Sequence, residues 1–179
     1  MSGDSGFRIQ DSDGTGSLST HGSASETGLN PESRILNPVL LIGYGNGLRG
    51  DDAIGIVIAE AVDAWNLPHV KVIACHQLTP ELSEDISEAA LVIFADAAAT
   101  GSPGDVTLTA VEPADPTTSS AHAGDPARLL GLAQVVFGKC PPAWTITVAA
   151  EDMDFREGLT ETAQRGVNEA LARVRGLVG

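Results

Sequence analysis

The chain has 179 residues, 42% of them hydrophobic, which fits one domain with a substantial core and excludes a chain disordered throughout. Twenty-four acidic against ten basic side chains give a formal net charge of −14. A field of that sign repels phosphate backbones and anionic membranes, so neither nucleic acid nor membrane is an expected partner. No apolar run approaches the roughly 20 residues that span a bilayer. The N-terminus lacks the basic-then-apolar pattern of a secretory signal. Two cysteines, Cys75 and Cys140, suggest no disulfide framework, and a reduced, cytoplasmic protein is expected.

Residues 1–37 read as a disordered tail rich in Ser, Gly, Thr and Asp, with a net charge of −3. Its apolar residues stand singly and follow no period, so ordering it would cost more than its burial returns. The domain is expected over residues 38–179. It opens with Pro38-Val39-Leu40-Leu41-Ile42-Gly43, a buried strand, followed by a glycine-rich loop. From Asp52 to about Trp65, Ile54, Ile58, Ala61, Val62 and Trp65 fall on one helical face. Asp51 or Asp52 suits the cap of that helix, Asp51 more so.

Further strands are expected over Val70–Cys75, Ala90–Asp96, Val106–Val111 and Ala143–Ala149. Helical patterns cover Leu78–Ser87, Ala127–Phe137 and about Thr160–Leu177. Strands that alternate with helices, several apolar on both faces, predict an α/β fold with a mostly parallel sheet covered on both sides.

In such a sheet, functional groups gather at the carboxyl ends of the strands. Asp52 follows the loop that leaves the first strand, and Asp96 ends the central one. The ordinary readings are a helix cap and a turn former. His122, in a loop before a helix, gains interest beside two carboxylates, because Asp, Asp and His form a mixed oxygen and nitrogen set that suits a divalent transition metal. The glycine loop also invites comparison with a dinucleotide cradle. The third glycine of G-x-G-x-x-G is replaced by Leu48, and Cys75-His76 stands where a ribose-binding acid would end the second strand. No G-x-S-x-G elbow is present, and His69 has no functional case.

The segment Leu41–Gly55, with Gly43, Gly45, Asn46, Leu48, Asp51, Asp52 and Gly55 in register, resembles the opening of the hydrogenase maturation protease family. Val92-Ile93-Phe94-Ala95-Asp96-Ala97 and Ser120-Ala121-His122 are similar to the family's later strand and loop, and the likeness covers roughly residues 38–175. The resemblance implies a three-layer α/β/α, phosphorylase/hydrolase-like fold. It implies an endopeptidase that removes the C-terminal peptide of the [NiFe]-hydrogenase large-subunit precursor, with nickel carried by that substrate as the recognition signal and no nucleotide. Asp52, Asp96 and His122 match the family's metal-contacting and catalytic positions. His76-Gln77-Leu78 is similar to the form found in members serving bidirectional, NAD-coupled hydrogenases, which implies a part in substrate recognition; a strand-end His with local hydrogen bonds is the plain reading. Two other readings are a non-catalytic nucleotide- or metal-binding assembly module of the same architecture, and a peptidase of related fold that processes spore proteins.

Overall fold

A computed structural model describes residues 38–117 and 125–179. The expected tail, 1–37, and the segment 118–124 lie outside the described residues. Among the described residues five strands run β1 (Val39–Tyr44), β2 (Val70–Cys75), β3 (Leu91–Ala98), β4 (Val106–Ala110) and β5 (Ala143–Ala149). Four α-helices are α1 (Ile54–Asp63), α2 (Leu82–Glu88), α3 (Pro126–Phe137) and α4 (Glu161–Val178), and a 3-10 turn covers Gly50–Ala53.

The strands form one sheet in the order β2-β1-β3-β5-β4. All pairings are parallel except that of β4 with β5. The run 106–111 reads from sequence as a strand with one covered face, and the structure adds its direction. It enters after the Pro103-Gly104 turn, where the Gly104 N–H donates to the Ala149 carbonyl (2.8 Å), so the chain reverses beside β5.

Successive side chains of a strand point to opposite faces, and both faces here are apolar. Leu41, Ile93, Ala95, Ile146 and Val148 pack against Ile54, Ile58 and Val62 of α1 and Ala163, Val167, Ala170 and Val174 of α4. Leu40, Ile42, Val92 and Phe94 pack on the other face against Ile86 of α2 and Leu129, Leu130 and Ala133 of α3. The result is the expected three-layer α/β/α arrangement.

The helix ends follow local chemistry. The Asp125 carboxylate accepts from the Ala127 N–H (3.0 Å), Pro126 occupies the first turn of α3, and Gly138 closes that helix in the left-handed region (φ 71°). Thr160 caps α4 through its hydroxyl oxygen, which accepts from the Ala163 N–H (3.1 Å).

Candidate active site

The glycines of the opening loop bring a helix against a strand. A Cβ on Gly43 would lie 2.0 Å from the Gly55 carbonyl oxygen, and one on Gly55 would lie 2.3 Å from the carbonyl oxygens of both Ala95 and Tyr44. Gly45 sits at φ +144°, and a Cβ there would meet the Asp52 carbonyl oxygen at 1.9 Å. That carbonyl instead accepts from the Asn46 N–H (3.1 Å). Only bare backbone lets the loop fold back on itself so closely. At these positions the space a Cβ would need is filled by the protein's own backbone.

The close approach seats the turn carrying Asp52 over the carboxyl ends of β1 and β3. Gly43 pairs with Ala95, so the next residues, Tyr44 and Asp96, stand side by side. The two-residue period puts both on the α2–α3 face. The Tyr44 hydroxyl donates a hydrogen bond to the Asp96 carboxylate. The Ala97 N–H donates to Asp96 Oδ1 (2.8 Å).

Asp52, Asp96, Tyr44, Gly45, Asn46 and Arg49 line an open cleft of about 360 Å³, together with His76, Gln77 and Leu78. Burial is the main cause that lifts the Asp96 carboxyl from 3.8 to about 6, with the Asp52 charge adding to it and the Ala97 and Tyr44 hydrogen bonds opposing it. Burial, then the charge and hydrogen bond of Asp96, then the charge of Asp125, push the Tyr44 hydroxyl well above its ordinary value. Asp125 therefore acts on the same hydroxyl that holds Asp96.

The adjacent acids divide their roles. Asp52 faces the cleft, whereas Asp51 is fully buried (0% exposed). Its expected role as a cap of its own helix is not what the structure shows, since neither the 3-10 turn nor α1 has a side-chain cap. Instead its Oδ2 accepts from the N–H groups of Glu151 (2.8 Å) and Asp152 (3.1 Å) and from the Thr160 hydroxyl (3.0 Å). Its Oδ1 accepts from the Thr160 N–H (2.8 Å). Burial alone would raise this carboxyl, but the hydrogen bonds from Thr160, Glu151 and Asp152 together lower it. Asp51 thus ties the Asp52 turn to the loop before α4.

His122 lies outside the described residues. Among the described residues no group of three or more His, Cys, Asp or Glu side chains is close enough to hold a metal ion. Asp52 and Asp96 stand together with His76 and Gln77, both exposed, in one cleft; Leu78, 5% exposed, belongs to its floor and to the core. Tyr44 and Arg49 escape a reading from sequence alone. The register of β1 against β3, which the Gly43–Ala95 pair sets, is the signal that exposes Tyr44.

The fold and the acid cleft define an α/β/α protein with two carboxylates, Asp52 and Asp96, at the carboxyl edge of its parallel strands. Several of the solved structures it resembles are named as hydrogenase maturation endopeptidases or proteases. The hydrogenase maturating endopeptidase HybD from E. coli is 27% identical, with a TM-score of 0.61 over 79% of this chain and 91% of that one. An endopeptidase from Escherichia coli is 29% identical, with a TM-score of 0.57 over 76% and 89%. The [NiFe] hydrogenase maturation protease HycI from Thermococcus kodakarensis, at 21% identity, shares the fold, with a TM-score of 0.62 over 79% and 92%. No family model and no curated protein matches the chain. The resemblance carried by Gly43 to Gly55 therefore extends to three dimensions. No helix among the described residues is long and apolar enough to cross a membrane.

Proposed function

We propose that this protein is an endopeptidase that removes the C-terminal peptide of the large-subunit precursor of a [NiFe] hydrogenase. The observation that carries this reading is the convergence of Asp52 and Asp96, from separate strand ends, in one open cleft of a fold shared with hydrogenase maturation endopeptidases. In this reading the nickel belongs to the substrate, and Asp52, Asp96 and His122 meet it. Two carboxylates and one imidazole suit a divalent transition metal, and the acidic field of the chain attracts a cation.

Nickel held by Asp52, Asp96 and His122 would supply the recognition signal, and a cation bound there would be able to polarise a carbonyl. Asp96, whose carboxylate the Ala97 N–H holds in place, accepts the proton of the attacking water. It returns that proton to the leaving amine as the C–N bond breaks. Tyr44 fixes the Asp96 carboxylate for both transfers. His76 and Gln77, exposed on the cleft wall, contact the substrate chain and contribute to the choice of hydrogenase, in this reading a bidirectional, NAD-coupled one.

Purified protein is expected to shorten a nickel-loaded precursor, followed by intact-mass spectrometry, and to leave the nickel-free precursor whole. Equal cleavage of both forms refutes recognition through nickel. Asp52→Ala, Asp96→Ala and His122→Ala are each expected to abolish trimming while circular dichroism stays unchanged. Near-normal activity in any one of them removes that residue from the site.

A further inference from the structure

Among the described residues, five large apolar side chains stand exposed: Leu48, Val135, Val136, Phe137 and Phe155. Three belong to the end of α3. The other two, Leu48 (63% exposed) and Phe155 (82% exposed), flank Arg49, which lines the acid cleft. Arg49 connects them to it. It follows Leu48 in the chain, lines the cleft with Asp52 and Asp96, and holds its guanidinium 5.9 Å from the centre of the Phe155 ring.

The rim is built as a rigid structure. The Arg49 Nε donates to the Met153 carbonyl (3.2 Å), the Gly50 N–H to Arg156 (3.0 Å) and the Asp51 N–H to Asp152 (2.8 Å). Arg49 and Arg156 form a parallel bridge between the two loops. The Leu48 N–H donates to Asn46 Oδ1 (3.0 Å), which fixes the loop that presents the Leu48 side chain. The buried Asp51 carboxylate anchors the second loop from beneath. An aromatic ring and an Arg held at the surface by such a frame lose little freedom on binding, the property of side chains that carry most of an interface's energy.

We propose that Leu48 and Phe155 form the docking surface for the folded body of the precursor, beside the cleft that receives its C-terminal segment. This rests on the function proposed above. The surface is continuous with the cleft through Arg49, so a chain entering the cleft brings its parent domain against this rim. Arg156 of the rim is ion-paired with Asp152 (3.4 Å), and Glu151, Asp154 and Glu157 stand in the same loop of a protein with a net charge of −14. The rim's complement is an apolar patch fringed by basic side chains. A second copy of this chain is a poorer occupant, because two molecules of that charge repel and the contact would wall off the cleft.

The test measures trimming of the nickel-loaded precursor over a range of precursor concentrations, for wild type, Phe155→Ala, Leu48→Ser and, as a control in α3, Val135→Ser. Phe155→Ala and Leu48→Ser are expected to raise KM about tenfold or more while kcat stays within about twofold. Val135→Ser is expected to match wild type. Unchanged KM in both rim variants overturns docking, as does a fall in kcat alone, which would assign the rim to site geometry. Sedimentation that shows a wild-type dimer dissociated by the rim variants also overturns it, in favour of self-association. Failure of the wild type to trim defeats the proposed function itself, whereas wild-type trimming with normal rim variants defeats only the docking surface.

Discussion

Replacing Asp96 with asparagine is expected to destroy trimming and stabilise the fold. In wild type the Asp96 carboxyl is lifted from 3.8 to about 6, chiefly by burial. A group whose folded value is raised binds its proton more tightly in the native state, so stability falls as pH rises from about 4 to about 6 and stays reduced above that. The gap corresponds to about 3 kcal/mol at pH 8. The carboxylate is partly open to the cleft, and screening by water reduces the figure to about 1–2 kcal/mol. Asparagine removes the buried charge and its repulsion by Asp52. Its oxygen still accepts from the Ala97 N–H, and the Tyr44 hydroxyl can turn to accept from its amide. The melting temperature is therefore expected to rise by about 3–6 °C at pH 8, with the gain shrinking toward pH 5. Differential scanning calorimetry of both proteins from pH 5 to pH 8 measures this directly. An Asp96→Asn protein no more stable than wild type at pH 8, or a gain independent of pH, refutes the reasoning.

Asp51→Ala is expected to act in the opposite direction. It leaves three N–H groups and a hydroxyl without their shared acceptor, a loss on the order of 3–5 kcal/mol that a chemical denaturation curve at pH 7 detects. Because the Asp51 carboxyl is lowered, its contribution is present above about pH 4 and is lost as pH falls through its folded value. Tyr44→Phe removes a hydrogen bond that favours charged Asp96, so the acidic limb of the pH–rate profile is expected to move upward by up to about one unit; an unmoved limb separates Tyr44 from the proton transfer. Gly55→Ala forces a Cβ against two backbone oxygens at 2.3 Å. Displacement of α1 and a destabilisation of about 2–3 kcal/mol, with loss of trimming, are expected from thermal melts and activity assays.

Much of this organisation is legible in the sequence because its cause is local. The runs at Leu40–Ile42 and Val92–Phe94 are apolar on both faces and form central strands. Ile54, Ile58 and Val62 recur every four residues and form the buried face of α1. Asp52 and Asp96 declare themselves by following such runs. The rest depends on partners distant in the chain. Asp51 reads as a cap because its neighbours suggest nothing else, yet every hydrogen-bond partner of its carboxylate lies 100 or more residues away. Tyr44 looks like the tail of a strand until the parallel register sets it beside Asp96. The direction of β4 is likewise invisible in its own five residues, because it follows from the reversal at Gly104. The glycines resemble an anion cradle by spacing alone, and only the 1.9–2.3 Å clearances at Gly43, Gly45 and Gly55 reveal a packing role.

The Asp51 clamp has a consequence for when the cleft is completed. The turn that presents Asp52 is held by backbone donors at Glu151, Asp152 and Thr160. On the ribosome those residues emerge about a hundred positions after the turn they secure. A nascent chain that has completed β1, α1 and β3 already contains both cleft acids, but the anchor beneath them is missing. So long a sequence separation adds to the loop-closure entropy of making the contact. The frame that aims the cleft acids is thereby completed only late in synthesis, and a chain cut short before α4 carries the acids without it.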